Sequence, residues 1–457
     1  MTAFDTVILN GRVMDPESGF DAIANIGISG GAIKALSGEP LKGNDTLDAS
    51  GLVVGPGFID LHSHGQDAEN YAIQAQDGVT TALELEVGAA DMHGWYAQRE
   101  GRSLINFGAT SGHIPARMKV LKDPGWFLPM GDAAHRPATD GEISQVLRAI
   151  EQGLEKGALG VGMGLQYTRA ASRWEVLEVF RLAARYKAPC HVHIRGMGKV
   201  ESVGAVEALE EVIAAAYITG APLHVVHISS SGLNATGQLL ELVGQARERG
   251  LDITTECYPY TAGMSGIETA IFDDGWQEKL GVTYSDLLWP STGETLTAES
   301  FARYRKQQGM VVVNFIPEQS MDAAVTSPLT AIATDGYLRN GAGHPRTAGS
   351  YGRLFGHYVR GTKKLTLMDA LRKSSLMPAQ RLERRAPAFN NKGRVRAGAD
   401  ADLAIFDPKT VSDMSTYQKP ALPSVGFRHV LVGGVPVVRD GKLQKNEAPG
   451  KGIRAPH

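Results

Sequence analysis

The sequence predicts an α/β fold in which a TIM-like (β/α)8 barrel carries a small β-sandwich built from both ends of the chain. Eight short apolar segments alternate with helical patterns in the middle of the chain, as in a parallel sheet. Strand patterns separated by Gly-rich turns occupy both ends. Polar residues follow successive central strands, and active sites of such barrels lie at the C-terminal strand ends. That placement favours a barrel over a doubly wound sheet, which the hydrophobic runs alone would also fit.

The composition excludes several classes of protein. Of the 457 residues, 43% are hydrophobic and 21% are charged, as in a soluble globular protein with a large core. A net charge of −3 gives no electrostatic reason to expect nucleic acid or a membrane surface as a partner. We find no secretory signal pattern and no apolar run near the roughly 18 residues of a spanning helix. Two cysteines cannot form a disulfide framework, and we expect a cytoplasmic protein.

Both ends of the chain are predicted to form one domain, because the termini of a domain usually lie close together. We assign residues 1–54 and 385–457 to the sandwich and residues 55–384 to the barrel. Strand patterns at 6–9, 12–14, 24–28 and 32–36 are separated by turns at Asn10-Gly11 and Gly30-Gly31. Strands at 401–406 and Phe427–Val432 precede a turn at Gly433-Gly434.

The barrel segment contains eight predicted strands and at least four long helices. The strands are at 58–64, 80–87, 103–110, 160–163, 189–194, 223–228, 253–257 and 331–334, and the helices at 143–156, 175–186, 203–217 and 237–249. The stretch 272–318 fits neither pattern, and we interpret it as an excursion between the last two strands. Long excursions of this kind are often lids or binding loops.

The first barrel strand ends in a His-x-His motif within the sequence VVGPGFIDLHSHG. Side chains at positions i and i+2 of a strand point to the same side, so His62 and His64 project together. Two imidazoles in that arrangement suit one metal ion. A lone motif of this length would favour a surface loop. Here an apolar strand precedes it and further histidines follow at later strand ends, which favours the metal site.

Polar residues at the ends of strands 1, 2, 5, 6 and 8 predict a site for one or two metal ions such as zinc. The candidate ligands are His62, His64, Glu84, Glu86, His193 and His227. Glu86 lies nearer the strand end, and we predict that it is shared between two sites. Glu84 is the alternative ligand, or a partner that orients a histidine. His191 and His224 lie deeper in their strands and are predicted to be structural.

Asp335 follows the last barrel strand and is the candidate catalytic acid/base. A carboxylate beside a metal-bound water can take its proton and pass it to a leaving nitrogen. The metal lowers the pKa of that water to about 7 and polarises the scissile carbonyl. Taken alone, Asp335 would equally fit a turn or a helix cap, but the other candidates converge on the same end of the barrel.

These residues resemble the amidohydrolase superfamily, and within it the D-aminoacylase group of N-acyl-D-amino-acid deacylases. The resemblance runs through GPGFIDLHSH, DGVTT, HVHIRG, PLHVVHISSSG, ECYPYTAG, IATDG and GHPRTAGSYGRLFG, and it covers nearly the whole chain apart from 272–318. It implies metal ligation by His62, His64, His193 and His227, with acid/base catalysis by Asp335. It further implies that the substrate carboxylate is held by Arg346 and by Tyr258 or Tyr260.

The sequence departs from this group at three positions. The group has a cysteine ligand in an Asn-Cys-Gly segment after strand 2, where this chain has Glu86-Val87-Gly88, so a glutamate replaces the thiolate. Strand 4 offers no lysine of the kind that other amidohydrolases carbamylate. Ser229 stands where a lysine is expected two residues after the strand 6 histidine, which removes one cationic partner of a substrate carboxylate.

Two further residues have open roles. His113 lies where the group has a Gly-His pair after strand 3, and it either donates a hydrogen bond to the developing oxyanion or fixes the loop. Arg195 follows His193 at i+2, and it either contacts the substrate or pairs with the surroundings of Asp335. The residues alone do not decide between these roles.

We predict a zinc-dependent hydrolase that cleaves a linear amide, an N-acyl amino acid, by attack of metal-bound hydroxide with Asp335 as proton shuttle. One or two ions per chain and other divalent metals fit the same residues. Cyclic amides such as hydantoins, ureides, dipeptides and aryl amides are rival substrates, because a fold does not determine its substrate. A catalytically silent barrel that binds a small molecule is the alternative outside the enzymes. The expected partner is a small amide substrate, and the sandwich edge strands are candidates for homo-oligomer contacts.

Overall fold

A computed structural model describes residues 4–198 and 204–456. Its centre is a sheet of eight strands in which every neighbouring pair is parallel and the order in the sheet follows the order in the chain. The strands are β1 (Phe58–Asp60), β2 (Val79–Ala89), β3 (Asn106–Gly112), β4 (Val161–Gly164), β5 (Cys190–His193), β6 (Leu223–Val225), β7 (Ile253–Cys257) and β8 (Thr330–Ile332). Each overlaps one of the eight predicted strands, and the barrel prediction is confirmed.

The sheet closes where the residues after β8 meet those after β1. Ser63 forms a parallel bridge with Gly336, and the backbone N–H of His64 donates to the Gly336 carbonyl at 2.9 Å. Below this point the Asp60 carboxylate accepts a hydrogen bond from the backbone N–H of Thr334 at 3.0 Å. The closure therefore brings the end of β1 beside the segment that carries Asp335.

Helices surround the barrel between its strands. The four predicted long helices are observed at Asp140–Glu155, Arg173–Arg185, Ala205–Thr219 and Thr236–Glu248, and the predicted start of the third, at Val203, lies outside the described residues. Further helices span Ala68–Ala75, Met92–Ala97, His113–Leu121, Asp132–His135, Ile228–Gly232, Glu318–Thr326, Arg346–Arg353, Leu354–Gly361, Leu367–Leu371, Arg372–Leu376 and Met377–Leu382. None of the helices in the described ranges has the length and apolar character required to cross a bilayer.

Both ends of the chain join in one nine-stranded sheet beside the barrel, as predicted. Its strands are Phe4–Asp15, Phe20–Ser29, Ala32–Ser37, Gly43–Asp48, Val53–Pro56, Leu403–Phe406, Phe427–Val432, Val435–Arg439 and Lys442–Leu443. Val53–Pro56 connects the two ends, because it pairs with Phe4–Asp15 on one side and with Leu403–Phe406 on the other. The domain boundaries after residues 54 and 384 stay a prediction.

The predicted turn at Asn10-Gly11 is wrong. One continuous strand, Phe4–Asp15, runs through both residues, and its pairing with Phe20–Ser29 shifts register between Ile8 and Gly11. Asn10 has a φ of 63°, so the left-handed residue that suggested a turn produces a β-bulge instead. Gly30-Gly31 and Gly433-Gly434 do form turns between antiparallel strands, as predicted.

The predicted excursion is a folded insertion between β7 and β8, larger than expected because its first strand begins at Ala262. We call residues 262–318 the insertion. It contains an antiparallel sheet of Ala262–Gly266, Leu287–Trp289, Glu294–Thr295 and Met310–Asn314, with helices Trp276–Leu280 and Ala298–Gln307. Its core includes Trp276 stacked on Phe301 at 5.2 Å between ring centroids, and this core extends to residues of the barrel mouth such as Val87 and Tyr167.

Phe58 links the barrel to the sheet domain and gives a test of the fold. Its fully buried ring lies 4.9 Å from Tyr351, 5.3 Å from Phe355 and 5.9 Å from Phe427, measured between ring centroids. Phe58→Ala should lower the free energy of unfolding by about 3–5 kcal/mol, because it leaves a cavity in this cluster. Urea unfolding measures the change. Phe20→Ala is the control, since Phe20 is 39% exposed, and equal losses in both variants would contradict the assignment.

Candidate metal centre

Two groups of potential metal-ligand atoms meet at the C-terminal end of the barrel. One comprises His62, His64, Glu86 and Asp335, the other Glu86, His193 and His227, and within each group the atoms lie within 4.8 Å of one another. Glu86 belongs to both. Its Oε2 lies 2.9 Å from His62 Nε2 and 3.2 Å from His64 Nε2, while its Oε1 lies 2.8 Å from His193 Nδ1 and 4.0 Å from His227 Nε2. One carboxylate thus faces both groups with its two oxygens.

The donor set fits borderline divalent metals such as zinc. Imidazole nitrogens and carboxylate oxygens are the ligands that these ions take in proteins. His62 and His64 each bind a further carboxylate through Nδ1, at 2.7 Å to Glu256 and 2.8 Å to Glu84, so that Nε2 of both rings faces Glu86. Histidine ligands of metals are usually held in this way by an outer carboxylate.

Glu84 takes the second of the two roles that the sequence left open. Its Oε2 faces His64 Nδ1, and its Oε1 accepts hydrogen bonds from the backbone N–H groups of Val87 at 3.2 Å and Gly88 at 3.3 Å. Both carboxylate oxygens are therefore directed away from the shared ligand atoms. The geometry favours Glu86 as the shared carboxylate and Glu84 as the partner that orients His64.

The two central carboxylates are ionised. Burial by itself raises the pKa of Glu86, but hydrogen bonds from His193, His62 and His64 outweigh it and hold that pKa well below its usual value. Burial likewise raises the pKa of Asp335, and the charges of Arg346 and His62 outweigh it, so this pKa also lies well below its usual value. Both groups can therefore act as anionic ligands or proton acceptors at neutral pH.

The backbone is strained at two residues of the site. His227 has a φ of 31° and Asp335 has a φ of 50°, in the left-handed region that glycine favours. Residues held in this way cost about 1–3 kcal/mol each and concentrate at functional sites. At His227 the conformation ends β6 and begins the helix Ile228–Gly232, where Ser230 Oγ lies 2.9 Å from His227 Nδ1. The imidazole of His227 thus keeps Nε2 towards Glu86.

Arg346 lies directly beside this centre, and only part of its guanidinium is paired within the described residues. It is 1% exposed, and its Nη2 lies 2.9 Å from Asp335 Oδ2. Its guanidinium carbon lies 4.4 Å from the ring centroid of Tyr258. Among the described residues, no hydrogen-bond partner faces its Nε or Nη1. Tyr260 is directed elsewhere, since its hydroxyl donates to Asp413 at 3.3 Å, so the geometry favours Tyr258 over Tyr260.

A cavity opens beside the second group. It is lined by Tyr167, His193, Met197, His227, Ser230, Tyr258, Gly263, Met264, Ser265, Ile271, Leu280, Val313, Phe315 and Asp335. Barrel strands and the segments that follow them supply the ligating and acidic side chains, and the insertion supplies most of the apolar ones. The insertion therefore covers the barrel mouth and shapes the space in which a ligand would lie.

Of the two roles left open for His113, the structure favours that of fixing the loop. His113 is the first residue of the helix His113–Leu121, and its Nε2 lies 2.8 Å from Glu175 Oε1. Glu175 also pairs with Arg117, and all three side chains are completely buried. The helix turns the imidazole away from the cavity, which leaves the alternative role of fixing the loop.

Neither Arg195 nor Ser229 is among the residues that line the cavity. Both Nε and Nη2 of Arg195 pair with Glu211, at 3.0 and 2.8 Å, so its charge is satisfied by the helix Ala205–Thr219. The hydroxyl of Ser229 is buried and has no hydrogen-bond partner in the described ranges, and it is Ser230 that lines the cavity.

Sequence reasoning did not identify Glu256, whose carboxylate contacts the candidate metal ligand His62. Glu256 is 1% exposed on β7, and its Oε2 lies 3.0 Å from His224 Nε2. His224 Nδ1 in turn lies 2.7 Å from Thr254 Oγ1, in keeping with the structural role predicted for His224. The available signal was a carboxylate in an otherwise uncharged barrel strand, next to the recognised YPY segment.

Comparisons with known proteins address the family and the fold of the chain. The model of the Amidohydrolase family matches residues 118–438. The N-acyl-D-glutamate deacylase of Alcaligenes xylosoxydans xylosoxydans is 28% identical over 97% of each chain, and the D-aminoacylase of the same organism is 26% identical over 95% of this chain and 94% of its own.

Among solved structures, the N-acyl-D-glutamate deacylase from Bordetella bronchiseptica superposes with a TM-score of 0.82 at 26% identity, over 99% of this chain and 100% of that one. It was solved in complex with zinc and a phosphonate inhibitor that mimics the tetrahedral intermediate of the reaction. A D-aminoacylase structure at 24% identity and a TM-score of 0.79 supports the same fold. The family match covers most of the chain, and this chain therefore belongs to the amidohydrolase family.

Proposed function

We propose that this protein is a metal-dependent hydrolase that cleaves the linear amide bond of an N-acylated amino acid. It would thus act on a carbon–nitrogen bond other than a peptide bond. The observation that carries the proposal is one buried carboxylate, Glu86, shared between two groups of metal-ligand atoms, with the acid Asp335 and the cation Arg346 beside them. The full-length similarity to N-acyl-D-glutamate deacylase and D-aminoacylase supports the choice of substrate class.

The two groups would hold one or two zinc ions, or other divalent ions. His62, His64, Glu86 and Asp335 would hold the first and Glu86, His193 and His227 the second. Such ions, when bound, lower the pKa of a water ligand and polarise the scissile carbonyl. The zinc in the solved N-acyl-D-glutamate deacylase supports this assignment.

Asp335 would move the proton from the attacking water to the leaving nitrogen. Its Oδ1 lies 3.3 Å from His64 Nε2 and 3.5 Å from His62 Nε2, beside two of the nitrogen atoms that would hold the first ion. Because its pKa is low, Asp335 is ionised and ready to accept the proton. The acid formed in this way is strong enough to return the proton to a departing amine.

Arg346 would hold the carboxylate of the substrate. Its Nε and Nη1 groups are buried and face no partner among the described residues, which suits an anionic ligand. Its Nη2 stays with Asp335, so the group that anchors the substrate and the group that moves the proton are held at a constant separation. These unpaired donors favour a linear amide with a free carboxylate over a cyclic amide.

The proposal further includes a cytoplasmic location and leaves association into homo-oligomers as a prediction. The location is supported by Cys190 and Cys257, which are buried and form no disulfide, as in proteins of reducing compartments. Cell fractionation and light scattering test the two statements.

The direct test is hydrolysis of N-acetyl-D- and N-acetyl-L-amino acids by zinc-loaded wild type and Asp335→Asn. The variant should keep its metal and lose about 10²–10⁴-fold in kcat, because an amide cannot take up the proton. Asp274→Asn is the control, since Asp274 is exposed. Full activity of Asp335→Asn would contradict the proton shuttle. If wild type binds metal but hydrolyses none of these compounds, the substrate is a different amide. If wild type does not bind metal, a catalytically silent barrel is the better interpretation.

Metal content of Glu86→Gln tests the shared carboxylate. The wild type should bind two zinc ions per chain and the variant one, because an amide presents a single oxygen ligand in place of two. Elemental analysis after zinc loading and desalting gives the numbers. Glu84→Gln is the matched control on the same strand, since Glu84 reaches the ions only through His64. If Glu86→Gln keeps both ions, Glu86 is not a ligand shared between them.

A further inference from the structure

The cavity beside the metal centre has one polar side and one apolar side. Its apolar side is formed largely by Ile271, Leu280, Val313 and Phe315 of the insertion, together with Met197. Among the described residues that line it, none is a lysine or an arginine. A substrate group that extends from the scissile amide into this space therefore meets hydrocarbon side chains of the insertion, and no lysine or arginine from the part of the chain that the structure describes.

Among the described residues around the cavity, one arginine is placed to bind a substrate carboxylate. In the narrow space that adjoins this cavity, Arg346 is the single cation among the described lining residues, and the acids Glu86 and Asp335 lie there as well. Arg339 is exposed and lines a separate outer cavity. A second carboxylate in the inner cavity would be desolvated without a partner, and burial of an unpaired charge is strongly unfavourable.

We infer that the enzyme selects N-acylated amino acids with an uncharged, apolar side chain and discriminates against acidic ones. This inference rests on the proposed function and deepens it. The carboxylate next to the amide nitrogen would bind Arg346, and the side chain would pack against the apolar wall of the insertion. Methionine and leucine derivatives would be good substrates, and glutamate and aspartate derivatives poor ones.

The ranking of three N-acetyl amino acids of similar length tests this selectivity. Methionine, glutamine and glutamate derivatives are compared by kcat/KM with zinc-loaded wild type, in both configurations. Glutamine and glutamate differ in charge at nearly equal shape. We expect methionine to exceed glutamate by at least about 100-fold, with glutamine between them. Glutamate turnover equal to or above that of methionine would overturn the inference and leave the proposed function intact. No turnover of any derivative would overturn both.

A charge introduced into the wall gives a second, independent measurement. Leu280→Lys should raise the glutamate-to-methionine ratio of kcat/KM by at least about tenfold, because it supplies the missing cation. Ile218→Lys is the control for added charge, since Ile218 is 65% exposed on the helix Ala205–Thr219. The wild-type ranking stands on its own if Leu280→Lys does not fold. An unchanged ratio in folded Leu280→Lys would count against side-chain binding at this wall.

A different observation concerns Glu256, which connects the metal centre to the interior of the barrel. Its Oε1 lies 2.7 Å from His62 Nδ1 and its Oε2 lies 3.0 Å from His224 Nε2. This contact holds the ring of His62 so that its other nitrogen, Nε2, faces Glu86 Oε2 at 2.9 Å, within the first group of metal-ligand atoms. We infer that Glu256 is a positioning residue that presents His62 to the first ion.

Zinc affinity of Glu256→Gln tests this role without reference to activity. Competition with a chromophoric zinc chelator should show a loss of about 10–100-fold in affinity. Glu175→Gln is a matched control, because Glu175 is equally buried and also binds a histidine, His113, away from the metal centre. Unchanged zinc affinity in Glu256→Gln, or an equal loss in Glu175→Gln, would overturn the positioning role.

Discussion

The site depends on the position of one carboxylate, that of Glu86, among four imidazoles. The imidazoles come from the segments after β1 and β6 and from the end of β5, while Glu86 projects from β2. Only a closed sheet with parallel strands in chain order brings these ends to one point, and the bridge between Ser63 and Gly336 completes it. A carboxylate buried to this extent is stable because positive charge and hydrogen-bond donors surround it. The closure of the barrel therefore determines which side chains meet at the site.

Three of the four histidines are each held by a residue outside the two groups of ligand atoms. Glu84 binds His64, Glu256 binds His62, and Ser230 binds His227. These contacts limit the rotation of the imidazoles before any ion arrives, which reduces the entropy lost when a metal binds. The backbone strain at His227 and Asp335 has the same origin. The surrounding sheet and helices hold both residues at positive φ, a conformation that an unfolded chain rarely adopts at these residue types.

Much of the fold and part of the site followed from patterns that are local in sequence. The period of two placed His62 with His64 and separated Glu86 from Leu85, and the structure confirms both. The roles that the sequence left open depend on residues that are distant in the chain. Arg195 pairs with Glu211 on a neighbouring helix, and His113 pairs with Glu175, 62 residues away. Counting two residues on from His227 led to Ser229, but the left-handed turn at His227 ends the strand and brings Ser230 to the cavity.

The insertion has a hydrophobic core that is distinct from the one around the barrel strands. Its residues pack mainly on each other and on the loops at the barrel mouth, while the ligands of the metal centre come from the barrel. Substitutions in the insertion wall can thus accumulate with little effect on the residues that perform hydrolysis. Among proteins descended from such a scaffold, the preferred amino acid of the substrate can change quickly while the reaction stays the same. Overall sequence identity to a relative is then a poor guide to the substrate of each enzyme.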